Sequence, residues 1–270
     1  MSRLRFSVLS GFTVSEASSK SPLCIDPGAP LARLRKLLAE ERSRIAYVCL
    51  GRKLVGVVDR RHALMVSSRK STATVANVME EPVIAFSPGD SLEEAVGSMI
   101  AADAWYAPVT SSGQLEGSLG LENVIGLILS RHPGLLKDVE ARDAMTPDPL
   151  TASRDDPVSK IWRYMVEKKF AGLPVVDERH RLIGIITQHD LLSRGYTRIE
   201  LESPSGPRKG PRVGDAMNPA PVHAYPWTSL LDVARIMLDH DIGRVPIVNS
   251  EKVLLGIVDR EDVLKAVSSK

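Results

Sequence analysis

Cysteine, aromatic residues and net charge are all scarce in this 270-residue chain. Its two cysteines, Cys24 and Cys49, form no Cys-x-x-Cys pair, which argues against a zinc ribbon or a disulfide-stapled scaffold. Both fall in apolar, strand-like stretches and are expected as buried thiols. Aromatics make up 4% of the residues, which leaves few rings for stacking on the bases of a single strand. Lysine and arginine number 35 against 33 aspartate and glutamate, a formal charge of +2, so no strong field calls for a nucleic-acid partner. No apolar run approaches the roughly 18 residues of a membrane span. The apolar part of Met1–Ser10 is too short and interrupted for a secretory signal. The cytoplasm is therefore the expected compartment, with no membrane partner. The six histidines, at 62, 132, 180, 189, 223 and 240, lack metal-ligand spacing. No nucleophile, base and orienting group occur together and there is no Walker-type glycine loop, so neither an enzyme nor a catalytic cofactor is expected.

What the chain does have is 43% hydrophobic and 25% charged residues, a globular composition with length for about two domains. It also has a phrase that recurs. Gly184-Ile185-Ile186-Thr187-Gln188-His189-Asp190-Leu191-Leu192 reads as an apolar strand ending in a polar corner and passing into a helix. It returns as Gly256 to Leu264, and in altered form as Gly56 to Leu64 and Gly117 to Ile125. Four copies, spaced by about 60 to 70 residues, mean one unit repeated. The glycine that opens each phrase admits another backbone or a planar ligand at close range. Thr187 and Asp190 have two readings at this level: a helix cap in which each side chain satisfies an orphan amide, or a hydroxyl and carboxylate offered to a ligand.

The surrounding residues repeat as well. Asp143-Ala144-Met145-Thr146-Pro147 opens the third copy and Asp215-Ala216-Met217-Asn218-Pro219 the fourth. Amphipathic stripes follow: Leu31, Leu34, Leu37 and Leu38; Leu92, Ala95, Val96 and Met99 behind a Ser91/Glu94 cap; Val158, Ile161, Trp162 and Met165 behind Asp156-Pro157; and Leu230, Val233, Ala234 and Met237 behind Thr228. Each repeat should fold as strand, helix, strand, strand, helix. Because a three-stranded sheet with helices on one face leaves the other bare, repeats should pack as pairs, one with two and three with four.

This order of opening, helix, strand and Gly-to-Asp phrase resembles the CBS domain, and the resemblance covers nearly the whole chain. A four-copy arrangement is also similar to the nucleotide-sensing gamma subunit of AMP-activated protein kinase and to stand-alone archaeal CBS proteins. It implies an α/β (α+β) fold of four β-α-β-β-α motifs, placed at 8–69, 72–131, 139–195 and 212–270, with a flexible loop at 196–211. The motifs would pack as two pseudo-twofold pairs.

The resemblance further implies an adenosine-containing ligand, AMP, ADP or ATP, between motifs three and four. Asp190 and Thr187 would hold the ribose hydroxyls, with Asp262 and Asp259 in the equivalent places of the fourth motif. The opening strand around Thr146, Pro149 and Leu150 would offer backbone groups to the adenine edge. Arg244 stands where that subunit carries phosphate-facing basic residues, with His240 and Arg260 as further candidates; each can equally be a surface charge. The first pair departs from the pattern, with His62 and Asn123 at the acid position and Gly120 in place of a hydroxyl. His62 is expected as an exposed residue of a helix turn. The expected role is a nucleotide-sensing regulator acting in trans on a protein target, as a monomer or a homodimer. Alternatives are an S-adenosylmethionine-binding protein, a nucleic-acid-associated protein using Arg60, Arg61 and the 208–212 loop, or a structural dimer with empty clefts.

Overall fold

Each stripe of leucine, valine and methionine becomes a helix that buries it. Leu31–Glu40 buries Leu31, Leu34 and Leu38, and Leu92–Ala101 buries Leu92, Ala95, Val96 and Met99. Val158–Glu167 buries Val158, Ile161 and Met165, while Leu230–Asp239 adds Leu231 to the expected set. The computed structural model describes residues 5–65, 72–196 and 210–268. Ser91 accepts from the Glu94 amide as expected. The fourth-repeat cap is Ser229, not Thr228: Ser229 Oγ accepts from the Asp232 amide at 3.1 Å, and Thr228 Oγ1 takes the amide of Tyr225 instead. Pro157 sits at the cap rather than inside the first turn of its helix.

Every repeat then forms an antiparallel hairpin: Ile45–Leu50 with Lys53–Asp59, Tyr106–Ser111 with Gln114–Gly120, Gly172–Val176 with Leu182–Thr187, and Arg244–Val248 with Leu254–Asp259. Each carries a register shift at the same place, between Val48 and Cys49, Val109 and Thr110, Val175 and Val176, and Ile247 and Val248. Such a bulge bends the strand and strengthens its twist. The closing helices are Arg60–Met65, Leu121–Arg131, Gln188–Ser193 and Arg260–Ser268. The expected opening strand is reduced to two residues in Cys24–Ile25 and Ala152–Ser153, each parallel to its own hairpin. In the second and fourth repeats it is a single bridge, Phe86 to Val109 and Ala224 to Ile247.

The chain divides into two compact units. One comprises Met1–Pro22, Pro82–Pro149 and Val222–Lys270; the other comprises Leu23–Glu81 and Leu150–Pro221. In the first unit Leu121–Arg131 packs against Leu230–Asp239 and Arg260–Ser268 over a core that includes Leu92, Met99, Ile125, Met237 and Leu264. In the second, Arg60–Met65 packs against Val158–Glu167 and Gln188–Ser193 over Leu34, Leu38, Ile161, Met165 and Leu191. The helices thus group the body of repeat two with four and of repeat one with three, which the tandem pairing alone does not anticipate.

The link between tandem partners is an exchange of opening segments. The Met79-Glu80 stretch of repeat two lies on the hairpin of repeat one, where Val57 and Glu80 bridge. Ser19 of repeat one bridges Ser118 of repeat two, Asn218 of repeat four bridges Ile185 of repeat three, and Thr146–Pro147 of repeat three pairs with Gly256 and Ile257 of repeat four. The phrase glycines make room for this. A Cβ at Gly184 would lie 2.6 Å from Met217 Sδ and 3.0 Å from the Asn218 carbonyl; one at Gly256 would lie 2.6 Å from Met145 Sδ and 2.9 Å from the Thr146 carbonyl. Gly56 meets Met79 and Glu80 in the same way, and Gly117 meets Ser18 and Ser19. At Gly56, Gly184 and Gly256 the incoming neighbour is a backbone with its methionine, and at Gly117 a backbone with a serine. Of the loop expected at 196–211, residues 197–209 lie outside the described residues, and Arg208 and Lys209 with them. Arg212 donates from Nη1 to the Asp155 carbonyl at 2.9 Å.

Candidate functional site

The unit that holds the fourth repeat gathers most of the expected residues through strand register. Thr146 is paired with Ile257, two residues before Asp259, and Arg244 is paired with Asp259 itself. The opening strand of repeat three and the Arg244 strand therefore flank, on either side, the strand that ends in the acid-bearing corner of repeat four. Asp259 caps the closing helix: its Oδ1 accepts the amides of Glu261 at 2.9 Å and Asp262 at 3.1 Å, while Asp262 Oδ2 accepts the Asp259 amide at 2.9 Å. Two carboxylates thus occupy a capping box usually shared by a hydroxyl and an acid. Burial, reinforced by the negative charge of Asp259, pushes the Asp262 carboxyl up to about 7.

Three basic candidates of this unit have different fates. Arg244 lies over the ring of Trp105, 5.5 Å from its centroid, a cation–π contact. Gly243 allows this, since a Cβ there would come within 3.2 Å of Trp105 Cζ3. Arg260 is not a phosphate-facing residue. It is 1% exposed, donates from Nη1 to Tyr106 Oη at 2.9 Å and to Glu122 Oε2 at 3.0 Å, and stands 3.9 Å from Asp241 Oδ1. Its charge is committed to holding repeat four against repeat two, which removes it from the candidate set. His240 is exposed at the C-terminal cap of Leu230–Asp239. Thr146 is exposed and Pro149 half-buried in the same unit.

The other unit holds Leu150, Thr187 and Asp190. Both readings of the Thr187/Asp190 pair meet here, because the cap is formed. Asp190 Oδ2 accepts the Thr187 amide at 2.8 Å and the Thr187 hydroxyl at 2.6 Å, and Thr187 Oγ1 accepts the Asp190 amide at 3.2 Å. Only one carboxylate oxygen is used, and both residues are half-buried rather than sealed. The preceding residue of the helix, His189, is held below its ordinary pKa by burial and by the nearby positive charges of Arg60, Arg42 and Arg44, opposed by Asp190. Its Nδ1 is buried and has no hydrogen-bond partner among the described residues. Arg60 is itself anchored, donating from Nε to the Ser43 carbonyl at 2.9 Å and from Nη2 to the Arg42 carbonyl. Three arginines of repeat one thus bring positive charge to His189, in the first turn of the third-repeat acid helix. Sequence reasoning missed this grouping; its trace is the Arg42-Ser43-Arg44 run ahead of a strand, uninformative until the fold brings it to His189.

The first-pair positions are structural in their contacts. His62 is not an exposed turn residue: it is 2% exposed, with Nδ1 2.7 Å from Asp59 Oδ1 and Nε2 3.2 Å from Glu80 Oε2. Burial opposes its charge, but the two carboxylates outweigh that and raise its pKa, while Asp59 and Glu80 are held low. Asn123 Oδ1 accepts the Gly120 amide at 3.0 Å. The expected burial of both cysteines is also corrected: Cys49 is buried and Cys24 exposed, because Cys24–Ile25 is an edge strand. Among the described residues no group of three or more His, Cys, Asp or Glu is placed to hold a metal ion, and no helix is long and apolar enough to cross a membrane.

Comparison with known proteins places these elements. A family model described as CBS domain matches residues 14–69, 75–130, 139–196 and 213–269. The chloroplastic CBS domain-containing protein CBSX2 of Arabidopsis thaliana is 33% identical over 122 residues, 38% of this chain and 51% of that protein. It has been solved in complex with AMP, in a structure that covers 47% of this chain and 94% of its own at a TM-score of 0.41. The uncharacterized protein MJ1225 of Methanocaldococcus jannaschii is 28% identical over 196 residues, 71% of this chain and 69% of that one. Its crystal structure, described as a proposed archaeal homologue of g-AMPK, shares the fold at a TM-score of 0.82 and 24% identity, covering 94% of this chain and 99% of that one. The chain spans about half the length of the first curated relatives it matches, 51% and 55% for two Arabidopsis proteins.

Proposed function

Because the chain belongs to the CBS domain family, with four copies of that domain, we propose that it is a regulatory protein that senses an adenosine-containing ligand and acts in trans on a protein target. The observation that carries this is the exchanged register. In each unit the opening segment of one repeat lies on the strand that runs into its tandem partner's acid-bearing helix, Thr146 beside Ile257 and Asn218 beside Ile185. A backbone edge able to meet adenine and a carboxylate able to take a ribose diol are thereby held a few residues apart. Support comes from the plant relative CBSX2, 33% identical over 122 residues and solved with AMP.

The two places differ in charge, which supports a different ligand for each. Near Asp190 the positive charges of Arg42, Arg44 and Arg60 favour the phosphate of AMP, ADP or ATP, since guanidinium forks match phosphate oxygens. Near Asp262 the paired carboxylates repel phosphate, and Arg244 is stacked on Trp105. That place favours an adenosine ligand with a cationic tail, of the S-adenosylmethionine type. Ligand would act by preferring one packing of the exchanged segments over another.

A thermal-shift series on the native chain and on Asp190→Ala and Asp262→Ala tests both assignments. A ligand at 100 times its Kd stabilises by about 2.7 kcal/mol, which raises the melting temperature by several degrees. The AMP shift should vanish in Asp190→Ala and the S-adenosylmethionine shift in Asp262→Ala. Removal of a cap lowers the starting temperature of each variant, so only the ligand-induced increment counts. Increments equal to those of the native chain would overturn the assignments.

A further inference from the structure

The only two cysteines of the chain, 25 residues apart in sequence, meet in space. Cys24 stands on the edge strand Cys24–Ile25, which lies parallel to Ile45–Leu50 with Cys24 in register with Tyr47. Side chains on one face of a strand repeat every second residue. Cys49, two residues beyond Tyr47, therefore projects on the same side as Cys24's partner. The two sulfurs end 3.5 Å apart, with the Cys49 thiol donating to Cys24 Sγ. Cys24 is open to solvent and Cys49 is covered.

We propose that Cys24 and Cys49 are a redox-active dithiol that closes to a disulfide on exposure to a low-molecular-weight disulfide such as oxidised glutathione, fastening the edge strand to its neighbour. The reaction has two exchanges. The Cys24 thiolate, exposed, attacks one sulfur of oxidised glutathione; its S–S bond breaks and one glutathione thiolate leaves. The Cys49 thiol then loses its proton to solvent and attacks Cys24 Sγ, expelling the second glutathione. Two protein thiols become one disulfide, and one oxidised glutathione becomes two reduced ones. The order is set by access, because a glutathione-sized reagent reaches Cys24 but not Cys49. Burial, with the neighbouring Cys24 sulfur adding to it, pushes the Cys49 thiol up to about 12, so Cys49 stays protonated until Cys24 is derivatised. A mixed-disulfide sulfur at Cys24 cannot ionise, so charge repulsion from Cys24 no longer opposes ionising Cys49.

The consequence lies in the opening of repeat one. The edge strand is only two residues long, and the bond would hold it where a single two-residue ladder now does. Intact-mass analysis of the full native chain, incubated with oxidised glutathione, quenched with acid, and then unfolded and alkylated with iodoacetamide, reads the outcome. The expected product is a monomer lighter than the reduced chain by about 2 Da, the two hydrogens lost, with neither cysteine alkylated and one proteolytic fragment joining Cys24 to Cys49. Cys49→Ser should accumulate the mixed disulfide at Cys24, whereas Cys24→Ser should stay unmodified while folded. A native chain that stops at a lasting glutathione adduct on Cys24, with Cys49 alkylated after unfolding, would overturn the proposal. So would glutathione addition at Cys49 in folded Cys24→Ser at the native rate. The native-chain measurement stands alone should either variant fail to fold.

Discussion

Asp262 carries a pH dependence whose sign follows from its surroundings. Its carboxyl, ordinarily near 3.8, is pushed up to about 7 by burial and by Asp259, so the folded chain binds a proton that the unfolded chain has released. Stability from this residue is greatest below the ordinary value and falls as pH rises through about 7. Asp262→Asn keeps the carbonyl oxygen that accepts the Asp259 amide and removes the charge. Urea unfolding should show the variant gaining on the native chain between pH 4 and 8, by about 1–2 kcal/mol after solvent screening. A constant difference across that range would contradict the account. His62 runs in the same direction, in a higher pH window. Its pKa is raised by Asp59 and Glu80, so the clamp is complete at and just below its ordinary value of 6.5 and is lost as pH climbs through the raised one. Below that window, protonation of Asp59 and Glu80, both held low, dissolves it from the acid side. His62→Gln should therefore cost more at pH 6 than at pH 9, by about 1.5–3 kcal/mol, the size of a charge-assisted hydrogen bond.

Between elements, the exchange of opening segments depends on bare glycines facing methionines. Gly256→Ala would set a Cβ 2.6 Å from Met145 Sδ and 2.9 Å from the Thr146 carbonyl. Overpacking of this kind costs about 1–3 kcal/mol. Met145→Ala in the same chain should recover only part of it, since the thioether can move but the Thr146 carbonyl belongs to a paired strand. Urea midpoints of the single and double variants measure both effects, and full recovery would mean that the backbone approach imposes no constraint. The repeat, its helices and its hairpins were readable in the sequence because leucine and methionine spacing and the Gly-to-Asp phrase are local signals. The phrase glycine pointed to a close approach, and the structure supplies a backbone there. What sequence could not give depends on partners far along the chain. Arg260 looked available for phosphate because Glu122 and Tyr106, 138 and 154 residues away, leave no mark beside it. His62 looked exposed for the same reason, since Glu80 arrives with the opening of another repeat. Cys24 was misjudged because an edge strand and a central strand share one apolar composition.

For the molecule as a whole, division into two units gives each an acid-bearing corner set against an exchanged opening segment, and gives the two corners different charge. Under the proposed function, two adenosine ligands would bind this chain without either competing for the other's place. The first-pair corners contribute contacts of another kind: His62 ties to Glu80, and Asn123 caps its own helix. Binding of AMP should accordingly reside with Asp190, whose second carboxylate oxygen is not engaged by the Thr187 cap.

Calorimetric titration of AMP into the native chain and into Asp190→Asn separates the cap from the ligand contact, because asparagine keeps an oxygen for the Thr187 amide but not the carboxylate for a diol. Hydrogen bonds to a charged group contribute about 1.5–3 kcal/mol, so the affinity should fall by roughly 10- to 100-fold with the melting temperature of the apo variant near native. An unchanged AMP affinity in a folded Asp190→Asn chain would contradict the sensor reading.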